Sequence, residues 1–205
     1  MRVDRPSPGE ELNTGEVSDA RQAASLILLR DGPDGPEVLL VRRNPEQRFM
    51  GGAWVFPGGA VHEGDGGPEL TALRELEEEA GVRLDEVGSL VPFSRWITPA
   101  EVKVRFDTWF FAAQAPLHAE ARPDGSECVD ARWLRPRVAL REYSRGELTL
   151  VFPTIKHLEQ LADAQSVTEL LDAARRRTVE PVLPRIVAGD DGAIVLLPGE
   201  PGYGD

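Results

Sequence analysis

The chain has 205 residues, 41% of them hydrophobic, which suits one domain with a real core and is too apolar for a disordered polymer. A formal net charge of −12 argues against binding a nucleic-acid backbone, and no apolar run approaches the roughly 20 residues of a membrane helix. An acidic protein of this kind repels a phosphate ester, so such a substrate needs metal ions or local arginines to reverse the field at its site.

Residues 1–20 are polar, carry Pro, Gly and acidic side chains without periodicity, and have no secretory apolar core. They are expected to form a flexible tail ahead of one domain over 21–205, in a cytoplasmic protein. "AASLILL" (23–29) and "EVLLVRR" (37–43) are apolar runs separated by "RDGPDGP", the signature of a hairpin. "AWVFPGGAVHEGDGGPE" predicts a strand entering a long loop, after which Pro68 starts a helix that runs to Ala80 and stops at Gly81. "EVGSLVPFSRWI", "VKVRFDTWFFAA" and "ECVDARWL" predict three more strands. "RPRVALREYS", "PTIKHLEQLADA" and "SVTELLDAARRR" predict short helices, and "RIVAGDDGAIVLL" a terminal hairpin turning at Asp190–Gly192. Strands interspersed with a few helices, without regular βαβ alternation, imply an α/β fold with a mixed sheet covered on both faces. The single cysteine, Cys128, is expected to be a small buried hydrophobe, and His62, His118 and His157 share no spacing and are assigned structural or surface places.

"RELEEEAGV" (74–82) is the stretch that carries chemistry. At about 100° per residue, with Glu75 at zero, Glu78 falls near ~300° and Glu79 near ~40°, so three carboxylates share a face. Leu73, Leu76 and Ala80 fall at about 100–160°, Leu70 is assigned to the same stripe, and Glu77 near ~200° stands apart. The expectation is a helix that packs its apolar side on the sheet and presents Glu75, Glu78 and Glu79 on the other. Like charges at these spacings repel by a few tenths of a kcal/mol per pair, more if partly buried. A hard divalent cation with oxygen ligands, Mg²⁺ or Mn²⁺, removes that cost; the alternative is a solvated charged face.

Gly59, five residues, Asp65, eight residues and then Arg74-Glu75-Leu76-Glu77-Glu78-Glu79-Ala80-Gly81-Val82 resembles the Nudix box. The second half matches at every fixed position. The first half has Asp65 in place of a glutamate and a loop one residue longer, which leaves the role of Asp65 open. The resemblance implies a Nudix-type α/β/α sandwich and Mg²⁺- or Mn²⁺-dependent hydrolysis of a diphosphate linked to another moiety. It further implies that Glu75, Glu78 and Glu79 ligate metal with the carbonyl of Gly59, while Arg74 orients Glu75 by an ion pair. The general base in this family is often a loop glutamate about six residues ahead of a tryptophan. Glu127, ahead of Trp133, has that spacing; Glu101 and Glu78 are the other candidates.

"LLVRRNPEQRFMGGAWVFPGG" (39–59) resembles the motif upstream of the box in coenzyme A diphosphatases of that family. Leu39, Leu40, Arg43, Arg48, Gly52 and Phe56–Gly59 keep its spacing, whereas Val41 stands in place of threonine and Asn44 in place of serine or alanine. "FSRWITPAEVKVRFDTWFF" resembles the branch that has longer peroxisomal relatives. Together these resemblances span roughly residues 20–160. They imply a CoA-like substrate cleaved to 3′,5′-ADP and 4′-phosphopantetheine or its acyl form, with Arg43, Arg48 and Gly58 at the substrate. A homodimer is a family-level expectation. Trp54, Phe93, Trp96 and Trp109 are candidates to stack on adenine, with plain core packing as the alternative. ADP-ribose or a dinucleotide is the competing substrate, and a nucleotide-sensing module without turnover is the competing class.

Overall fold

In the computed structural model, which describes residues 11–84, 86–189 and 192–204, the chain forms ten strands and four α-helices. In order these are β1 (Arg21–Gly32), β2 (Gly35–Arg43), β3 (Trp54–Val55), β4 (Gly58–Ala60), α1 (Pro68–Ala80), β5 (Val91–Ile97) and β6 (Phe106–Gln114). There follow β7 (Cys128–Leu134), α2 (Pro136–Ser144), α3 (Phe152–Leu161), α4 (Val167–Arg175), β8 (Pro181–Val182), β9 (Arg185–Gly189) and β10 (Gly192–Leu196).

β1 and β2 make the hairpin that Gly32-Pro33-Asp34-Gly35 calls for, paired antiparallel from Leu29↔Val38 to Gly32↔Gly35. Beyond Leu29 and Val38 the two strands part. β1 pairs with β4 through Ala24↔Gly59 and Ser25↔Gly58, while β2 pairs with β3 through Val41↔Val55 and Arg42↔Trp54. The other edge of β1 runs parallel to β6, β6 pairs antiparallel with β5, and β7 extends the sheet from β2. The parting of β1 and β2 is what lets Gly58 and Gly59 enter the sheet beside α1.

The central strands are buried on both faces, so they read as unbroken apolar runs. Leu26, Leu28, Leu39, Val41 and Phe111 face α1, meeting Ala72, Leu76 and Ala80. Ile27, Leu29, Val38, Leu40 and Phe110 face the opposite way, against Ala139, Ile155, Leu158, Leu161, Leu171 and Ala174 of α2–α4. This is the expected α/β/α sandwich. Cys128 is buried as expected, and its thiol pKa is pushed up by burial and by the neighbouring Glu79 charge. His157 is wholly buried in a ring of Phe56, Phe93, Trp96 and Phe110, and its Nε2 meets Ser94 Oγ at 2.6 Å.

Several local expectations change. β5 and β6 start later than the apolar runs suggest, since residues 87–89 form a 3₁₀ turn and 98–105 a loop. Residues 11–20 do not behave as a free tail: Leu12 bridges Val102, Asn13 N–H donates to Glu101 O (2.8 Å) and Lys103 N–H donates to Glu11 O (2.9 Å). Glu11 also pairs with Arg48 and Lys103. The rest of the expected tail, residues 1–10, lies outside the described residues. β9 and β10 form the terminal hairpin as a separate two-stranded sheet; residues 190 and 191 of its expected turn lie outside the described residues. No helix among the described residues is long and apolar enough to cross a membrane.

Candidate active site

α1 is bounded as its sequence demands. Pro68 occupies the first turn, where no N–H is needed, and Gly81 ends the helix at φ 63°, its N–H donating to Glu77 O at 3.0 Å. Its buried residues are Thr71, Ala72, Glu75, Leu76, Glu79 and Ala80. The carboxylates therefore do not share one solvated face: Glu75 is 6% exposed and Glu79 2%, whereas the Glu78 side chain is 58% exposed. The cause is angular. Ala72 falls at about 60°, so a helix that buries Ala72 and Leu76 carries its neighbours at ~0° and ~40° inward too. Leu70, at about 220°, is turned out and 45% exposed, not part of the apolar stripe. Glu77 is exposed and stands apart, as its angle indicates.

Each buried carboxylate has a defined environment. Glu79 Oε2 accepts from Gly58 N–H at 2.9 Å, and Arg43 Nη1 stands 3.5 Å from Oε1, an atom left without a hydrogen-bond donor. Burial pushes the Glu79 pKa up to about 7, with the Glu75 charge adding to it and Gly58 N–H and Arg43 opposing. Burial also raises Glu75, against the attraction of Arg74, whose Nη1 lies 2.8 Å from Glu75 Oε1. A Cβ on Gly59 would overlap the Glu75 carboxylate, so the β4 backbone approaches the helix at that point only because glycine is there.

Arg74 is the hub. Its Nη1 also donates to Glu78 Oε2 (2.7 Å), and its Nε and Nη2 bind Asp65 at 2.9 and 3.0 Å. Asp65 further accepts from Thr71 Oγ1 and His62 N–H, and the Arg74 hydrogen bonds hold its carboxyl well below the usual carboxylate range. One cavity of about 560 Å³ is lined by Gly58, Gly59, Arg43, Arg74, Glu75, Glu78 and Glu127 together.

The NUDIX domain family model matches residues 19–151. The chain belongs to the Nudix family. It is 30% identical over 123 residues to the acyl-coenzyme A diphosphatase NUDT19 of Homo sapiens, covering 58% of this chain and 33% of that protein. It is 40% identical over 77 residues to the mitochondrial Nudix hydrolase 15 of Arabidopsis thaliana, covering 36% of this chain and 27% of that one. The chain thus spans a third or less of the length of either relative. A crystal structure of a Nudix hydrolase from Alicyclobacillus acidocaldarius superposes with a TM-score of 0.68 at 29% identity, covering 80% of this chain and 98% of that one.

Within this Nudix domain the other candidate residues separate. Arg43 reaches the cavity and bonds Gln47 Oε1; Arg48 does not, its side chain being 87% exposed and paired with Glu11 at 2.8 Å. Gly58, expected at the substrate, lines the cavity, and its N–H donates to Glu79 Oε2. Glu127 lines the cavity, while Glu101 Oε2 accepts from Ile186 N–H of the terminal hairpin at 3.4 Å. Of the four candidate stacking aromatics, Trp54 and Trp96 are core residues, Trp96 also bordering the cavity, while Phe93 and Trp109 pack against the core clusters and do not line it. Asp65 is the residue whose role sequence reasoning left open. The signal was its place in the box, since a shorter acid on a longer loop still reaches Arg74.

Nudix hydrolases generally use divalent metals, and the donor set here is chemically suited to one. All the donors are hard oxygens, and buried Glu79 Oε1 has no hydrogen-bond partner. As the side chains stand, no three His, Cys, Asp or Glu among the described residues converge in a metal-site arrangement. One guanidinium nitrogen of Arg74 engages both Glu75 and Glu78, while Glu79 is turned to Gly58 N–H and Arg43.

Proposed function

We propose that this protein hydrolyses the diphosphate of CoA or acyl-CoA, releasing 3′,5′-ADP and 4′-phosphopantetheine or its acyl form. The observation that carries this reading is the convergence of Glu75, Glu78, Glu127 and Arg43 on one cavity beside the Gly58–Gly59 strand, with the upstream "LLVRRNPEQRFMGGAWVFPGG" motif supplying Arg43. In this assignment Glu75, Glu78 and Glu79, with the Gly59 carbonyl, hold Mg²⁺ or Mn²⁺. The bound ion supplies charge neutralisation for the diphosphate oxygens and eases deprotonation of water. Arg74, tethered by Asp65, keeps the Glu75 carboxylate in one orientation. Glu127 is on the rim, exposed, and takes the proton of the attacking water as general base. Arg43 places a positive charge at the diphosphate in a protein whose net charge is −12.

The test is a substrate panel. The protein is incubated with Mg²⁺ or Mn²⁺ and CoA, octanoyl-CoA, ADP-ribose or a dinucleoside polyphosphate, and the products are resolved by chromatography. Release of 3′,5′-ADP from the CoA compounds is expected. Turnover of ADP-ribose with CoA intact overturns the substrate, and tight binding of these compounds without turnover overturns hydrolysis in favour of a sensing module. Glu127→Gln separates the base: a fall of about a hundredfold or more in kcat is expected, and a small change moves that role to Glu78.

A further inference from the structure

The cavity lined by Glu75 and Glu78 continues into an apolar end, to which segments outside the matched residues 19–151 contribute. Leu12 enters from the N-terminal segment and Ile186 and Val195 from the terminal hairpin; Val102 and Val104 come from the loop before β6. Ile186 and Val195 are cross-strand partners, so they stand side by side on one face of the hairpin. These pieces are tied to one another by the Leu12–Val102 bridge and by Glu101, whose backbone carbonyl takes Asn13 N–H and whose carboxylate takes Ile186 N–H.

Two facts set this wall apart from ordinary core. Leu12 is 61% exposed although its backbone is pinned by the bridge to Val102, and Val104 beside it is 39% exposed. The wall is also continuous with the carboxylate cluster, so whatever is joined to the diphosphate lies along it. We infer that the two flanks of the domain, together with the loop before β6, form a specificity wall in which Leu12, Val102, Val104, Ile186 and Val195 receive an apolar substituent carried by the diphosphate substrate. The inference rests on the diphosphate reading above and adds which part of the chain selects the other half of the molecule. These aliphatic side chains give no hydrogen-bonding return to a sugar hydroxyl and gain free energy from each methylene they cover.

The probes are ADP esters bearing a methyl or an n-octyl group on the β-phosphate, titrated calorimetrically against the full chain. The octyl ester is expected to bind at least about tenfold tighter than the methyl ester, since covering even two methylenes supplies that factor. Ile186→Glu is expected to bring the octyl-to-methyl affinity ratio close to one. Leu12→Glu, at an exposed position that tolerates charge, is expected to lower it severalfold and serves if the hairpin variant does not fold. Equal affinities in the wild type, or a ratio unchanged in the folded variants, overturn the wall. The probes carry no pantetheine, so failure of CoA turnover overturns the substrate proposed above and leaves the affinity ratio to decide this inference.

Discussion

The substitution Glu79→Gln removes the charge of the buried carboxylate and keeps a carbonyl oxygen able to accept from Gly58 N–H. In the fold the Glu79 pKa is raised from 4.5 to about 7, mainly by burial. A raised carboxyl pKa means the neutral form is the one the fold favours. Its stabilisation is complete below pH 4.5 and is lost as pH rises through about 7. At about 1.4 kcal/mol per pH unit, the interval between those values corresponds to roughly 3 kcal/mol lost by the ion-free protein. The glutamine variant has nothing to ionise there. In urea titrations with a chelator, it is expected to match the wild type within about 1 kcal/mol at pH 5 and to exceed it by about 2–3 kcal/mol at pH 8.5. For a chain of this size that is a rise in Tm of roughly 4–12 °C. Added Mn²⁺ is expected to raise the wild-type Tm at pH 8.5 and to do little for the variant. A variant less stable than wild type at both pH values refutes the reasoning, because Glu79 then acts as a charged partner of Arg43 rather than as a desolvated acid.

Asp65→Ala is expected to destabilise the fold by roughly 1–3 kcal/mol, because Arg74 and Thr71 lose a half-buried charged acceptor, and Asp65→Asn to restore part of it; denaturation midpoints check both. Gly59→Ala is expected to lower turnover by at least about a hundredfold with far-ultraviolet circular dichroism unchanged, since the new methyl displaces the Glu75 carboxylate. Full activity in that variant contradicts the close approach of β4 to α1. Burial lowers the His157 pKa from 6.5 to about 3, so the unfolded chain takes up a proton below pH 6.5 that the fold refuses. That difference is expected to remove about 2 kcal/mol of stability between pH 7 and pH 5, and His157→Gln to flatten the slope by that amount.

Local signals were sufficient for the elements nearest the chemistry. The turn residues between β1 and β2, Pro68 and Gly81 at the ends of α1, and the spacing of Glu75, Glu78 and Glu79 all act within a few residues of themselves. The burial of α1 was not legible from its hydrophobic pattern. The angular positions were right, but the helix face is set by Ala72 and Leu76 meeting the sheet, and the glutamates beside them are carried inward. Residues 11–13 show no periodicity because they are held by backbone bonds to the loop 98–105, about 90 positions away, and such pairing leaves no local mark. Arg48 has the right spacing for a substrate contact, yet Glu11, arriving from that same segment, takes it. Glu101, a candidate base by its loop position, accepts from Ile186 N–H, a partner far along the chain that no local pattern announces.

The most direct test of the central assignment compares wild type with Glu78→Gln in the hydrolysis of CoA. Glu78 is exposed and bonded to Arg74 alone among side chains, so its loss leaves the core intact. Wild type with Mg²⁺ or Mn²⁺ is expected to release 3′,5′-ADP and to be silent with a chelator, and Glu78→Gln to lose at least about a hundredfold in kcat, with a Tm unchanged when both proteins are compared in chelator. Wild-type turnover retained by Glu78→Gln, or undiminished by the chelator, contradicts the placement of the chemistry on this helix.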